Sequence, residues 1–232
     1  MKKTFAQHVI QFNASLNPEI KLPKGISIMN PFRENPEILP ISAAFYNKYY
    51  SDRNRRRIIL GINPGRLGAG ATGIPFTDTK RLLSHCGIAT KSIQTHEPSS
   101  VFVYDVIDAF GGVEAFYSHF YITSICPLGF VKSTQSKKEI NFNYYDDPAL
   151  EKNIRPFCVD SLKEQLSWGI DRKVAYCFGT GKNYKFIEGI NKDFNFFERL
   201  VPLEHPRYIM QYKSRNKSDY ITKYLRAFAM TE

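Results

Sequence analysis

Apolar residues gather in four short runs, at 58–62, 120–126, 174–178 and 199–203, and each run stops in turn residues instead of continuing at a helical period. Runs of this length with such punctuation read as buried strands. Between and around them, apolar positions recur at helical spacing over 40–50, 78–85, 148–168, 182–191 and 217–230. The opening MKKTFAQHVIQFNAS has a basic tip, but His8, Gln11 and Asn13 break its apolar run. It therefore reads as a first amphipathic helix and not as a secretory leader. Strands alternating with helices imply crossover connections, and so an α/β fold: a three-layer α/β/α sandwich around a central four-stranded parallel sheet. Ligands of such sheets bind beyond the carboxyl ends of the strands, so the functional residues are expected just after the four runs.

Two stretches carry less pattern. Residues 17–35, with Pro18, Pro23 and Pro31 and with Pro36 just beyond, are expected to form an irregular surface connection, and the polar, lysine-rich 129–145 a loose loop. Neither is long enough to separate two units. Residues 1–232 thus read as a single domain, with 1–57 a helical and irregular extension packed on it.

Composition narrows the function. With 32 Lys+Arg against 22 Asp+Glu the formal net charge is +10, which points to a polyanionic partner. At 43% hydrophobic and 14% aromatic the chain can bury a full core, and no run of about 18 apolar residues offers a membrane span. Cys86, Cys126, Cys158 and Cys177 are scattered without a CxxC pair, so they read as small buried hydrophobes and no metal or iron–sulfur site is expected.

The richest chemistry follows the first run: Gly61-Ile62-Asn63-Pro64-Gly65-Arg66-Leu67-Gly68-Ala69-Gly70-Ala71-Thr72-Gly73-Ile74-Pro75-Phe76-Thr77-Asp78. Gly68 to Gly73 satisfies GxGxxG, but a dinucleotide fingerprint opens a helix directly from its strand, whereas an Asn-Pro-Gly turn intervenes here. Gly179-Thr180-Gly181-Lys182-Asn183 lacks the earlier glycine and the hydroxyl of a phosphate loop. The glycines after the first run read instead as a preformed slot that lets backbone approach a flat ligand, stiffened by Pro64 and Pro75 and floored by Phe76. Ser124 stands at the carboxyl end of the strand expected in the second run, and His205 follows the fourth. Arg66, Lys132, Lys137, Lys138, Lys182, Lys185, Arg207, Lys213, Arg215 and Lys217 also follow strand ends, so their charge would converge on that rim. Arg53, Arg55, Arg56 and Arg57 precede the first strand and are expected to be a solvated face.

These residues resemble the uracil-DNA glycosylase superfamily, most closely its single-strand-selective monofunctional type in the bacterial branch. The resemblance rests on Gly-Ile-Asn-Pro-Gly from Gly61, Thr-Gly-Ile-Pro-Phe ending at Phe76, Ser-Ile-Cys-Pro-Leu from Ser124, and His-Pro-Arg from His205, and it spans roughly 58–230. It implies a monofunctional DNA glycosylase that flips uracil out of DNA and hydrolyses the N-glycosidic bond; with the opening helix read as that of a cytoplasmic protein, a cytoplasmic monomer that needs no cofactor or metal is expected. By the same resemblance Asn63 holds the attacking water and His205 hydrogen-bonds the uracil oxygen where negative charge grows. Ile62, Gly65, Phe76 and Ser124 would bind the base, Phe76 by stacking and Gly65 by leaving room at its C5 edge for substituents such as hydroxymethyl. Lys182, Arg207, Met210, Tyr212 and Lys213 would meet DNA, with Met210 or Tyr212 the wedge that fills the gap left by the flipped base; alternatively Ile209 and Met210 pack under the last helix. The chain departs from the family pattern at Ser124, where the best-known members have Asn, and in the segment after His205. Two other readings compete: a weakly active member that binds damaged or single-stranded DNA, and an unrelated nucleotide-binding enzyme.

Overall fold

The computed structural model describes residues 2–134 and 138–229; Lys137 and Met230 lie outside the described residues. Among the described residues seven strands form two sheets: β1 Ile26–Met29, β2 Arg56–Gly61, β3 Phe120–Ser124, β4 Gly129–Ser133, β5 Glu139–Phe142, β6 Ile170–Phe178 and β7 Arg199–Leu203. The central sheet has the order β3-β2-β6-β7 and every neighbour is parallel, as the alternation of runs and helical segments implied. Ile58, Ile59 and Leu60 in the middle of β2 are each fully buried, the signature of a strand covered on both faces.

Two consecutive residues of β3 show what covers each face, because successive side chains point oppositely. The Phe120 ring lies 4.6 Å from Phe228 in helix Lys217–Ala229, and Tyr176 of β6 joins the same cluster at 4.9 Å from Phe228. Tyr121 turns the other way, 5.1 Å from Phe5 in helix Phe5–Ser15. Thr4 and Gln7 close a capping box at the start of that amino-terminal helix, and Phe5, Val9 and Phe12 form its buried stripe. All four cysteines are buried and free, in keeping with a packing role.

The structure corrects three expectations. The described residues of 129–145 are not a loose loop: β4 pairs with β5 and, across about a hundred residues of sequence, with β1, making a small antiparallel sheet. For the same reason 17–35 is not wholly irregular, since it holds β1 and the short helix Pro31–Glu34 capped by Asn30. Nor is the arginine run a solvated face. Arg53 and Arg55 are exposed, but Arg56 is 1% exposed and the Arg57 guanidinium sits 4.6 Å over the Phe120 ring and bonds the Phe228 carbonyl. Helices Pro98–Phe110 and Val113–His119 were unsuspected between the first two runs.

Candidate active site

Beyond the carboxyl ends of β2, β3 and β7 lies a cavity of about 530 Å³, lined by Ile62, Asn63, Gly65, Phe76, Ser124 and His205 together with Glu97, Asn141, Tyr145 and Arg207. Sheet pairing sets its floor. Gly61 is opposite Ser124, and the pairing continues past the strands through Ile125 N–H to Gly61 O (3.0 Å) and Cys126 N–H to Ile62 O (3.2 Å). The two motifs after the first and second runs are thereby locked side by side.

The Asn63 amide is fixed at both of its polar atoms. Nδ2 donates to the carbonyls of Phe142 and Pro64 (3.3 Å each), and Oδ1 accepts the Tyr144 N–H (3.2 Å). A carbonyl oxygen has two lone pairs, so Oδ1 keeps one for a further partner. The last residue of β5 and a residue just beyond it thus orient Asn63, which ties the small sheet to the cavity.

Phe76 has a positive φ of 53°, an uncommon conformation for a bulky residue. Hydroxyl groups hold the turn that imposes it: Thr72 Oγ1 donates to Thr77 O (2.6 Å) and accepts the Ile74 N–H (3.2 Å). So held, the ring lies 5.3 Å from Phe178 and 5.6 Å from His205. It also passes over Gly61, where a Cβ would stand 2.9 Å from its edge and 3.4 Å from Ser124 Oγ.

His205 caps helix Pro206–Tyr212, accepting the Arg207 N–H at Nδ1 (3.2 Å). An acceptor Nδ1 leaves the proton of a neutral ring on Nε2. Burial, and then the Arg207 charge, push the imidazole pKa down to about 4, so the ring is neutral near pH 7 and carries one N–H donor. In the same helix Ile209 is fully buried and Met210 half-buried against the core, while Tyr208 and Tyr212 are exposed, their rings 5.5 Å apart. Lys182 and Lys213 are exposed; the Lys182 ammonium lies 5.7 Å over the ring of Tyr145 at the cavity wall, whereas Lys217 is paired to Asp105 (2.6 Å).

The glycine loop differs from a slot for a flat ligand. A Cβ on Gly70 or Gly129 would strike Met29 (2.7 and 2.3 Å), and one on Gly73, at φ +69°, would strike Phe32 (2.6 Å). These glycines make way for the protein's own side chains, and Gly65 is the one in the loop that opens on the cavity with only ordinary contacts. Glu97 and Asn141 are site residues that motif reading did not find. The Pro98 that follows Glu97 is a sequence signal for a helix start, but nothing local shows which way that start faces. Burial, then the nearby Asp78, push Glu97 up to about 7, partly offset by Arg207.

The family model of the uracil DNA glycosylase superfamily matches residues 48–229. Among solved structures, the crystal structure of wild-type Pedobacter heparinus SMUG2 is similar: it is 53% identical, the match covers 99% of this chain and 98% of that one, and the TM-score is 0.97. No curated protein sequence matches the chain.

Proposed function

Since the chain belongs to the uracil DNA glycosylase superfamily and is thus a DNA glycosylase, we propose that it removes uracil, flipped out of DNA, by hydrolysis of the N-glycosidic bond. The observation that carries this reading is the pairing in one cavity of a fixed amide, Asn63, with a neutral imidazole, His205. Breaking the bond leaves positive charge on the sugar and sends the electron pair of the C1′–N1 bond onto the base. A neutral Nε2–H donor meets that negative charge without first losing a proton of its own, and preorganised donors are the largest aid to such a step. The free lone pair of Asn63 Oδ1 positions the water that adds to C1′; an amide cannot take up the proton as a carboxylate does, so orientation is its contribution, and the proton the water sheds balances the charge of the departing base anion.

Phe76 supplies the stacking face for the base, Ile62 and Ser124 line its edges, and Gly65 faces C5. Arg207, Lys182 and Lys213 meet phosphates. Of the two wedge candidates, exposure favours Tyr212, because Met210 is half-buried against the core. No lysine nucleophile takes part, so the product is an intact strand with an abasic site. The unit we propose is the whole of 1–232, acting as a cytoplasmic monomer.

The test is single-turnover excision from an oligonucleotide with one uracil, read by alkaline cleavage. Strand breaks after alkali and none before it are expected. Breaks without alkali would overturn the monofunctional assignment, and binding without excision would favour the reading as a damaged-DNA-binding member.

A further inference from the structure

One carboxyl group in the cavity has no part in the hydrolysis proposed above. Glu97 stands at the start of helix Pro98–Phe110, and its own N–H donates to Asp78 Oδ2 (2.7 Å), which fixes where the side chain begins. From there the carboxyl lies against the glycine loop: a Cβ on Gly68 would be 2.0 Å from Oε2, so the carboxyl keeps this position only while residue 68 is glycine. The loop then turns Gly65 toward the same group. A Cβ on Gly65 would lie 3.7 Å from Glu97 Oε1 and 3.7 Å from Asn141 Nδ2, so the open face of Gly65 looks onto one carboxyl oxygen and one amide N–H, both on the cavity wall.

We propose that Glu97, with Asn141 beside it, is a specificity-determining residue that reads the substituent at C5 of the flipped pyrimidine, admitting uncharged hydrogen-bonding groups and rejecting anionic ones. The proposal rests on the reading of the cavity as a uracil pocket with Gly65 at the C5 edge. A hydroxymethyl group there donates to the Glu97 carboxylate and accepts from the Asn141 amide. A carboxylate substituent instead faces a second carboxylate across a space from which the base has displaced water, where repulsion is weakly screened.

The discrimination is set by the charge on Glu97. Its surroundings are Asp78 from the turn before helix Thr79–Cys86, itself held by Arg81 and His96; Ser99 and Ser100 on its own helix; Arg207 from the helix after β7; Asn141 from β5; and the neutral His205. Burial and Asp78 outweigh Arg207 and place the transition at about 7. Below that value the carboxyl is neutral and the repulsion vanishes; above it the repulsion is complete.

The experiment compares single-turnover excision of uracil, 5-hydroxymethyluracil and 5-carboxyuracil at about pH 6 and pH 8, by the wild type and by Glu97→Gln. For the wild type the 5-carboxyuracil to uracil rate ratio is expected to fall about tenfold from the lower pH to the higher, the size of effect two close like charges exert. Glu97→Gln is expected to hold that ratio constant with pH, at the higher value, and to lower the 5-hydroxymethyluracil to uracil ratio. A wild-type ratio that does not change with pH overturns the proposal without recourse to any variant. So does equal resistance of 5-carboxyuracil to both proteins at both pH values. If the wild type excises no uracil at all, the proposed function fails first and this inference falls with it; if uracil is excised and the ratios stay put, this inference alone fails.

Discussion

At the amino end of β2, Arg56 is 1% exposed and all five of its N–H donors are used: two on the Asp52 carboxylate (2.8 Å each) and one each on the carbonyls of Tyr117, Asn54 and Tyr49. The rings of Tyr50 and Phe5 cover it at 4.6 and 5.0 Å. Beyond the carboxyl end of the same strand, Glu97 and His205 line the cavity, where burial outweighs their partners and moves the two pKa values in opposite directions and past each other, Glu97 up to about 7 and His205 down to about 4. A buried charge with a complete set of hydrogen bonds serves the fold. Groups whose neutral forms are favoured, gathered in one cleft, are what chemistry on a ligand requires. The strand thus carries a structural end and a functional end, and the difference lies in how completely each buried ionisable group is satisfied.

The comparison breaks most sharply at the functional end. Asn63→Ala is expected to lose roughly 10²–10⁴-fold in single-turnover uracil excision, the range for a positioned catalytic group, while DNA binding changes little. Undiminished excision would remove Asn63 from the mechanism.

At the structural end the signs reverse. Arg56→Met leaves the carbonyls of Tyr117 and Tyr49 without their donor, and a loss of about 2–4 kcal/mol of stability is expected from charge-assisted bonds of this kind. Excision per folded molecule should not change. A stable Arg56→Met protein with impaired excision would mean that the two ends are coupled and the distinction is false.

His205 sharpens the contrast without mutation. With its pKa lowered from 6.5 to about 4, the imidazole should remain neutral in NMR spectra until the pH approaches 4. The lowered value makes the neutral ring a source of stability that is fully present above 6.5 and is lost as pH falls through about 4. A midpoint near 6.5 would place His205 in water and remove the basis for a neutral donor. Gly61→Ala acts more gently: its Cβ, 2.9 Å from the Phe76 edge, should push the ring off the base site and slow excision about tenfold, as overpacking of a tight contact does.

The four central strands and the residues just after them were legible because both signals are local: a short apolar run, and the turn chemistry that ends it. Asn63, Phe76 and His205 follow strands of one sheet and Ser124 ends another of its strands, and the parallel order brings them to one cavity. Glu97 and Asn141 were not legible. The first stands at a helix start, and the second belongs to β5, an exposed strand of only four residues whose sheet depends on the distant β1. Arg56 was misread for a related reason. Its carboxylate, carbonyls and rings come from residues 5, 49, 50, 52, 54 and 117, and a run of arginines looks the same whether or not such partners surround one of them.

The smallest expected effect asks which end of β2 the DNA follows. Lys182 and Arg55 are both exposed cations, one beside the cavity wall at Tyr145 and the other at the amino end of the strand. Each phosphate contact releases about one counterion, so Lys182→Ala should reduce the slope of log affinity against log salt by about one, whereas Arg55→Ala should leave it unchanged. The midpoint affinity alone does not decide the matter, because removing any cation from a protein with a net charge of +10 weakens its attraction for DNA. The slope counts neutralised phosphates and so separates contact from general attraction. Equal slopes for Lys182→Ala and wild type, with a reduced slope for Arg55→Ala, would put the DNA track along the end assigned here to structure, and the division between the two ends would have to be redrawn.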